Sequence, residues 1–259
     1  MNARVAELKA PHPVVSPDEW LTQRKILLAR ERELTHLRDQ VARERRALPW
    51  ARVEKDYVFE TPEGPRKLAD LFECRRQLLV QHFMLGPGWE QGCPSCSYMA
   101  DHTDGMTIHL EHRDVTFVAI SRAPLAEIEK FKRRMGWKFK WVSSHGSDFN
   151  FDFGVSFTPK EKKKGEVTYN YAKHRYESDE LPGISVFYRD EAGEVFHTYS
   201  TYGRGVEAMM GTYSLLDLTP KGRHESDGPM AWVRHHDRYE PASAPKAGPA
   251  GDSCCHSYG

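Results

Sequence analysis

Apolar residues recur at every seventh position early in the chain, at Trp20, Leu27, Leu34, Val41 and Leu48, with Leu37 beside them. Arg24, Lys25, Arg32, Arg38, Arg43 and Arg45 fall mostly off that stripe, so the segment predicts a helix with one apolar face and a basic back. Ser16-Pro17-Asp18-Glu19 supplies its start: a hydroxyl cap, Pro at the first helical position and Glu three residues after the cap. Pro49 closes it. Residues 1–49 are therefore expected to be a helical extension packed on the body of its own domain, with a homodimer through paired helices, or contact of the basic back with nucleic acid or a membrane, as the alternatives.

From Tyr57 the pattern changes to short apolar runs. Tyr57-Val58-Phe59, a turn at Pro62-Glu63-Gly64-Pro65, the amphipathic Leu68-Ala69-Asp70-Leu71-Phe72 and the run Leu78-Leu79-Val80-Gln81-His82-Phe83-Met84 read as strand, turn, helical turn and strand. The last run is nearly continuous, as in a central strand covered on both faces of a sheet. A Gly-rich loop, 86–92, leads to a helix expected to begin at Cys93 and to run through Tyr98, Met99 and Ala100. Val115-Thr116-Phe117-Val118-Ala119-Ile120, a helix opened by Pro124 with Leu125, Ile128 and Phe131, and Lys138-Phe139-Lys140-Trp141-Val142 repeat the alternation. Residues 143–183 are polar with isolated aromatics, Phe149, Phe151, Phe153 and Phe157, and predict an insertion or long loop. Ile184-Ser185-Val186-Phe187-Tyr188 and Glu194-Val195-Phe196-His197-Thr198-Tyr199 form a hairpin, followed by a helix from about Val206. Residues 241–259 are rich in Pro, Ala, Gly and Ser and predict a disordered tail ending in Cys254-Cys255-His256. The whole reads as one α/β domain over 50–240 with an extension at each end.

Composition narrows this picture. With 39% apolar and 11% aromatic residues among 259, the chain can bury one enlarged core. Lys and Arg together number 37, as do Asp and Glu, so no net field steers it toward nucleic acid or an anionic membrane. No apolar stretch reaches the roughly 18 residues of a membrane span and no secretory signal opens the chain, so a cytoplasmic location is expected. Five cysteines at 74, 93, 96, 254 and 255 are odd in number and uneven in spacing, unlike a disulfide framework.

Two of those cysteines sit where chemistry is possible, in Gly92-Cys93-Pro94-Ser95-Cys96-Ser97. The first sulfur of such a pair at a helix start lies beside unsatisfied amides and the positive end of the helix dipole, which favour thiolate. Two intervening residues on a helical turn bring the second sulfur within disulfide reach. Cys93 is the expected attacking thiol and Cys96 the resolving one, with Pro94 stiffening the turn. The competing readings are an inert core pair or half of a zinc site completed by His82, His102, His109 or His112, which lack a recognisable ligand spacing. Cys74 reads as a bystander, and no cofactor or resident metal is expected.

The residues also carry a family resemblance. Gln81-His82-Phe83-Met84, the segment 92–97, Ser121-Arg122-Ala123-Pro124, Arg134-Met135-Gly136-Trp137, residues 143–150 and residues 197–205 together resemble a bacterial thioredoxin-like family catalogued as domain of unknown function 899 and described as predicted dithiol-disulfide oxidoreductases. Glu19-Trp20 and Arg45-Arg46-Ala47-Leu48-Pro49 fit it as well. The resemblance implies a thioredoxin-like three-layer α/β sandwich and thiol-disulfide exchange with a protein or small-molecule substrate. It also implies a substrate-holding cis-proline before the terminal hairpin, for which Pro182 is the candidate, with an ordinary trans proline at a strand start as the alternative, beside Trp89 and Pro94 as further substrate-contacting residues. Trp89 does not directly precede the first cysteine as in ordinary thioredoxins, so a different substrate surface is expected. The lead-in 68–72 is similar to peroxiredoxins, which makes a thiol peroxidase the runner-up, with Arg122 or Arg204 as the cation that would hold a peroxide. A thioredoxin-fold module that carries metal or only binds a partner is the non-catalytic alternative.

Overall fold

The computed structural model describes residues 12–240, so the expected disordered tail and Cys254, Cys255 and His256 lie outside the described residues. The chain forms two units, divided between Pro49 and Trp50. The first holds α1 (Pro17–Arg46), whose start is a reciprocal cap: the Glu19 amide donates to Ser16 Oγ at 3.3 Å and the Ser16 amide to Glu19 Oε2 at 3.0 Å. Arg43, Arg45 and Arg46 in the last turn complement the negative end of the helix dipole. No described residue of α1 is buried, and the Arg24–Glu31 ion pair at 2.7 Å bridges two of its turns.

In the second unit, β1 (Ala51–Arg52), β2 (Val58–Phe59) and β3 (Arg66–Lys67) lead through a 3-10 turn, Leu68–Phe72, to β4 (Gln77–His82). Next come α2 (Pro94–Thr103), α3 (Thr107–His112), β5 (Val115–Ser121), α4 (Leu125–Met135) and β6 (Lys140–Ser143). The segment expected as an insertion or long loop contains α5 (Phe149–Asp152), α6 (Pro159–Lys163) and the ribbon β7 (Val167–Tyr169) and β8 (Ala172–His174). Then follow β9 (Gly183–Arg189), β10 (Val195–Tyr202), a 3-10 segment Gly203–Met209 and α7 (Gly211–Leu216).

Six strands form the main sheet in the order β1-β10-β9-β4-β5-β6. β4, β5 and β6 are parallel, and β9 returns antiparallel to β4, with Val80 opposite both Val118 and Ser185. Strand alternation sorts the central residues between two cores. Phe117, Ala119 and Phe83 meet Met99 and Ala100 of α2 and Ile128, Phe131 and Met135 of α4. Leu78, Val80, Val118 and Ile120 face the other way onto Phe59, Leu71, Phe72 and Phe149. The order of β4, the α2 crossover, β5, α4 and the antiparallel β9–β10 hairpin makes the fold thioredoxin-like, with β6 added at the parallel edge.

The 143–183 segment is packed rather than looped. Phe149 is fully buried in the main core, and Val155, Phe157, Val167 and Tyr169 join Tyr202 in a small core of their own. Its elements are three to five residues long, too short for a periodic pattern to form, so each aromatic acts as an isolated anchor. No helix among the described residues is long and apolar enough to cross a membrane.

Candidate active site

β4 delivers the chain to the dithiol. Just past its end the Phe83 amide donates to Ile120 O at 2.9 Å, and the loop that follows is tied back where the Cys93 amide donates to Met84 O at 3.0 Å. Gly92 is required in between: a Cβ there would lie 2.6 Å from the Phe83 ring and 2.8 Å from the Phe131 ring. Cys93 then caps α2, and Pro94, at the first helical position, lacks the amide hydrogen that would have gone unpaired.

Cys93 is partly buried and Cys96, one turn on, is fully buried; both are free thiols. Ser97 returns both its amide and its hydroxyl to Cys93 O, at 3.0 and 2.9 Å. Gln81 Nε2 donates to Cys96 O at 3.1 Å, and the Met84 amide points at Cys96 Sγ from 3.5 Å. The two thiols are driven apart in acidity. Cys93 falls to about 6, foremost because the Cys96 thiol donates to it, with the amides of Cys96 and Ser95 and the Ser95 hydroxyl adding to this against the effect of burial. Cys96 rises well above the ordinary thiol value because ionising it would forfeit that same bond, because it is buried, and because its charge would face that of Cys93.

Of the residues expected at the site, Cys93, Cys96 and Pro182 line one cavity of 520 Å3. Pro182 is not cis, since the described residues contain no cis peptide bond. Its trans bond leads into Gly183, which pairs with His82 on one side and Tyr202 on the other. Pro94 is exposed at the start of α2 and shapes the turn without lining the cavity. Trp89 does not line it either; its ring packs over Gly86, where a Cβ would lie 3.0 Å from Trp89 Nε1. Arg122 is spent on the buried Glu180, donating from Nε at 2.6 Å, and lies over the Phe151 ring. Arg204 does reach the cavity, paired with Glu207 at 2.7 Å. Cys74 is exposed and away from the cavity lining. His82 and His102 have other partners, Ser185 Oγ for the first and Tyr98 O and Thr212 Oγ1 for the second. Among the described residues no three His, Cys, Asp or Glu side chains are grouped so as to hold a metal ion.

Two positioning residues escaped the sequence. His235, buried beside the Phe131 ring, donates from Nε2 to Gly92 O at 2.9 Å, and its Nδ1 accepts from Arg134 Nη2 at 3.3 Å. Burial holds its pKa down, so the neutral ring serves as donor on one side and acceptor on the other. Tyr169, from the β7–β8 ribbon, donates its hydroxyl to Pro182 O at 2.6 Å and accepts from the Gly203 amide at 2.9 Å, bracing two walls of the cavity. His235 lies 143 residues from Gly92 along the chain, and no local pattern could have joined them.

A family model described as bacterial protein of unknown function (DUF899) matches residues 9–239. The chain belongs to this family. No curated protein matches it. Solved structures similar to this family member include the peroxidoxin BcpB of Mycobacterium tuberculosis, 14% identical over 63% of this chain and 96% of that one, with a TM-score of 0.42. Peroxiredoxin Q of Xanthomonas campestris is 11% identical over 60% of this chain and 87% of its own, with a TM-score of 0.42. The mitochondrial 2-Cys peroxiredoxin of Plasmodium falciparum is 14% identical over 66% and 95% of the two chains, with a TM-score of 0.39.

Proposed function

We propose that this family member is a thiol-disulfide oxidoreductase in which Cys93 attacks a disulfide and Cys96 resolves the mixed disulfide. The observation that carries this reading is geometric: Cys93, partly buried at the N-cap of α2, and Cys96, buried one turn on, are free thiols that line one cavity, and their surroundings lower Cys93 to about 6 and raise Cys96. At pH 7 a thiol of that acidity is about nine-tenths thiolate, while its neighbour keeps its proton. Cys93 Sγ attacks one sulfur of the substrate, the substrate S–S bond breaks, and a thiolate leaves with the electron pair. Once Cys93 is in disulfide linkage its charge is gone, and with it the bond and the repulsion that kept Cys96 protonated. The Met84 amide, 3.5 Å from Cys96 Sγ, then favours the second thiolate. Cys96 attacks the Cys93 sulfur, the second substrate thiolate departs, and the protein dithiol is oxidised as one disulfide becomes two thiols. Pro182 stands beside the sulfurs as a wall of the substrate site.

Mass spectrometry of the two serine variants after exposure to a small disulfide tests this. With Cys74, Cys254 and Cys255 replaced by serine in both, Cys96→Ser should retain a mixed disulfide on Cys93, and Cys93→Ser should form none. An adduct of equal yield on both variants, or on neither, sinks the reading. A glutathione titration of the unmodified protein should show a reversible Cys93–Cys96 bond.

A further inference from the structure

The cavity beside the dithiol has walls that the exchange reaction itself does not call for. Met84, Met99, Val206, Met210, Met230 and the ring of Tyr213 line it around the two sulfurs. Three of these are buried, Met99 at 1%, Val206 at 3% and Met210 at 3% exposed, and the partly buried Met84 and Met230 pack on the same core. Methionine is flexible and polarizable, so such a wall adapts to apolar groups of differing shape.

The charged residues at the cavity are spent on one another. Arg204 pairs with Glu207 at 2.7 Å, and Glu207 also takes Arg223 at 3.3 Å. Arg223 is pinned further by Asp217 at 2.8 Å and lies 3.9 Å over the Tyr213 ring. Glu225 accepts from the Tyr213 hydroxyl, and from the Met230 amide at 2.7 Å. Two cations and two carboxylates thus line the cavity, each already partnered, so their charges cancel and leave no net charge for a charged ligand to meet. A volume of 520 Å3 lies within the range of small-molecule pockets, about 300–1,000 Å3.

We propose that this cavity takes the apolar half of a small, uncharged disulfide. The inference rests on the exchange chemistry proposed above and names its substrate class. The apolar substituent enters between the methionines and leaves its sulfur in front of Cys93. Cys93 thiolate bonds to that sulfur, the substrate S–S bond breaks, and the outer thiolate leaves to solvent and takes up a proton there. Cys96 then displaces the cavity-bound thiolate from Cys93, and the proton that Cys96 loses as the Cys93–Cys96 bond forms is taken up by the departing thiolate. One disulfide is reduced to two thiols as the dithiol gives up two electrons.

The test is the rate of Cys93 oxidation in the reduced full-length chain with diethyl, dipropyl and dibutyl disulfides, with bis(2-hydroxyethyl) disulfide and with glutathione disulfide. Each rate is divided by that of a free small thiol with the same probe to remove intrinsic reactivity. Each methylene buried in the cavity should raise the corrected rate about fourfold, and glutathione disulfide should fall below all three alkyl probes. Met210→Glu should flatten this slope by placing a carboxylate in the wall; should that chain not fold, the more exposed Met230→Gln should lower it. A slope under about 1.5-fold per methylene in the unmodified protein, with normal reaction toward bis(2-hydroxyethyl) disulfide, overturns the substrate class and leaves the exchange reading standing. An undiminished slope in the folded variant also overturns it. Failure of Cys93 to react with any probe overturns the exchange reading itself.

Discussion

The hydrogen bond from the Cys96 thiol to Cys93 is the leading cause of the low Cys93 pKa, and Cys96→Ala removes it while leaving the start of α2 in place. A hydrogen bond to a charged group contributes about 1.5–3 kcal/mol, and each pKa unit corresponds to about 1.4 kcal/mol. Loss of this bond should therefore raise Cys93 by about one to two units, from about 6 to between about 7 and 8. At pH 6.5 the thiolate fraction should fall from about three-quarters to about a quarter or less. Cys96→Ser keeps a hydroxyl donor at the same place and should stay closer to the parent. The assay is the pH dependence of Cys93 alkylation and of thiolate ultraviolet absorbance, with Cys74, Cys254 and Cys255 replaced by serine throughout. If Cys96→Ala still titrates near 6, the amides of α2 hold the thiolate unaided and the proposed division of labour between the two sulfurs is wrong.

His82, fully buried in the sheet and held at about 3 by burial and by His197, binds its proton in the unfolded chain long before it does so in the folded one. Its contribution is fully present above about pH 6.5 and is lost as pH falls toward 3, with a slope of up to about 1.4 kcal/mol per pH unit. Denaturant titrations across that range should show a shallower acid limb in His82→Gln, and an unchanged slope would remove His82 as its source. Gly92→Ala should cost about 1–3 kcal/mol and slow Cys93 alkylation, because its methyl must push aside two aromatic rings; an unfolding midpoint equal to the parent's would show that the rings yield freely. Tyr169→Phe leaves Pro182 O and the Gly203 amide without their shared partner and should lower stability by about 1–3 kcal/mol, measurable as a shift of the urea midpoint at constant slope. No shift would mean that water replaces the hydroxyl.

Local features were legible where the information is local. Ser16 and Glu19 marked the start of α1 because a cap is chemistry between neighbours, and the continuous run in β4 announced a central strand because both faces of that strand are covered. The hairpin of β9 and β10 was visible through the turn between two β-rich runs. Cys93 and Cys96 were readable as a pair, since a helical turn sets their separation whatever surrounds it.

Tertiary structure alone decided the rest. The 143–183 segment seemed a loop because its anchors, Phe149, Phe157 and Tyr169, take their meaning from distant partners rather than from periodicity. Trp89 stood near the cysteines in sequence but turned onto Gly86, whereas His235 and Tyr169 came from afar to hold Gly92 and Pro182. Sequence by itself determined the pairing of the two cysteines, whose separation is set within one turn of helix; the shape and polarity of the cavity before them came from side chains that meet only after long loops of chain have closed.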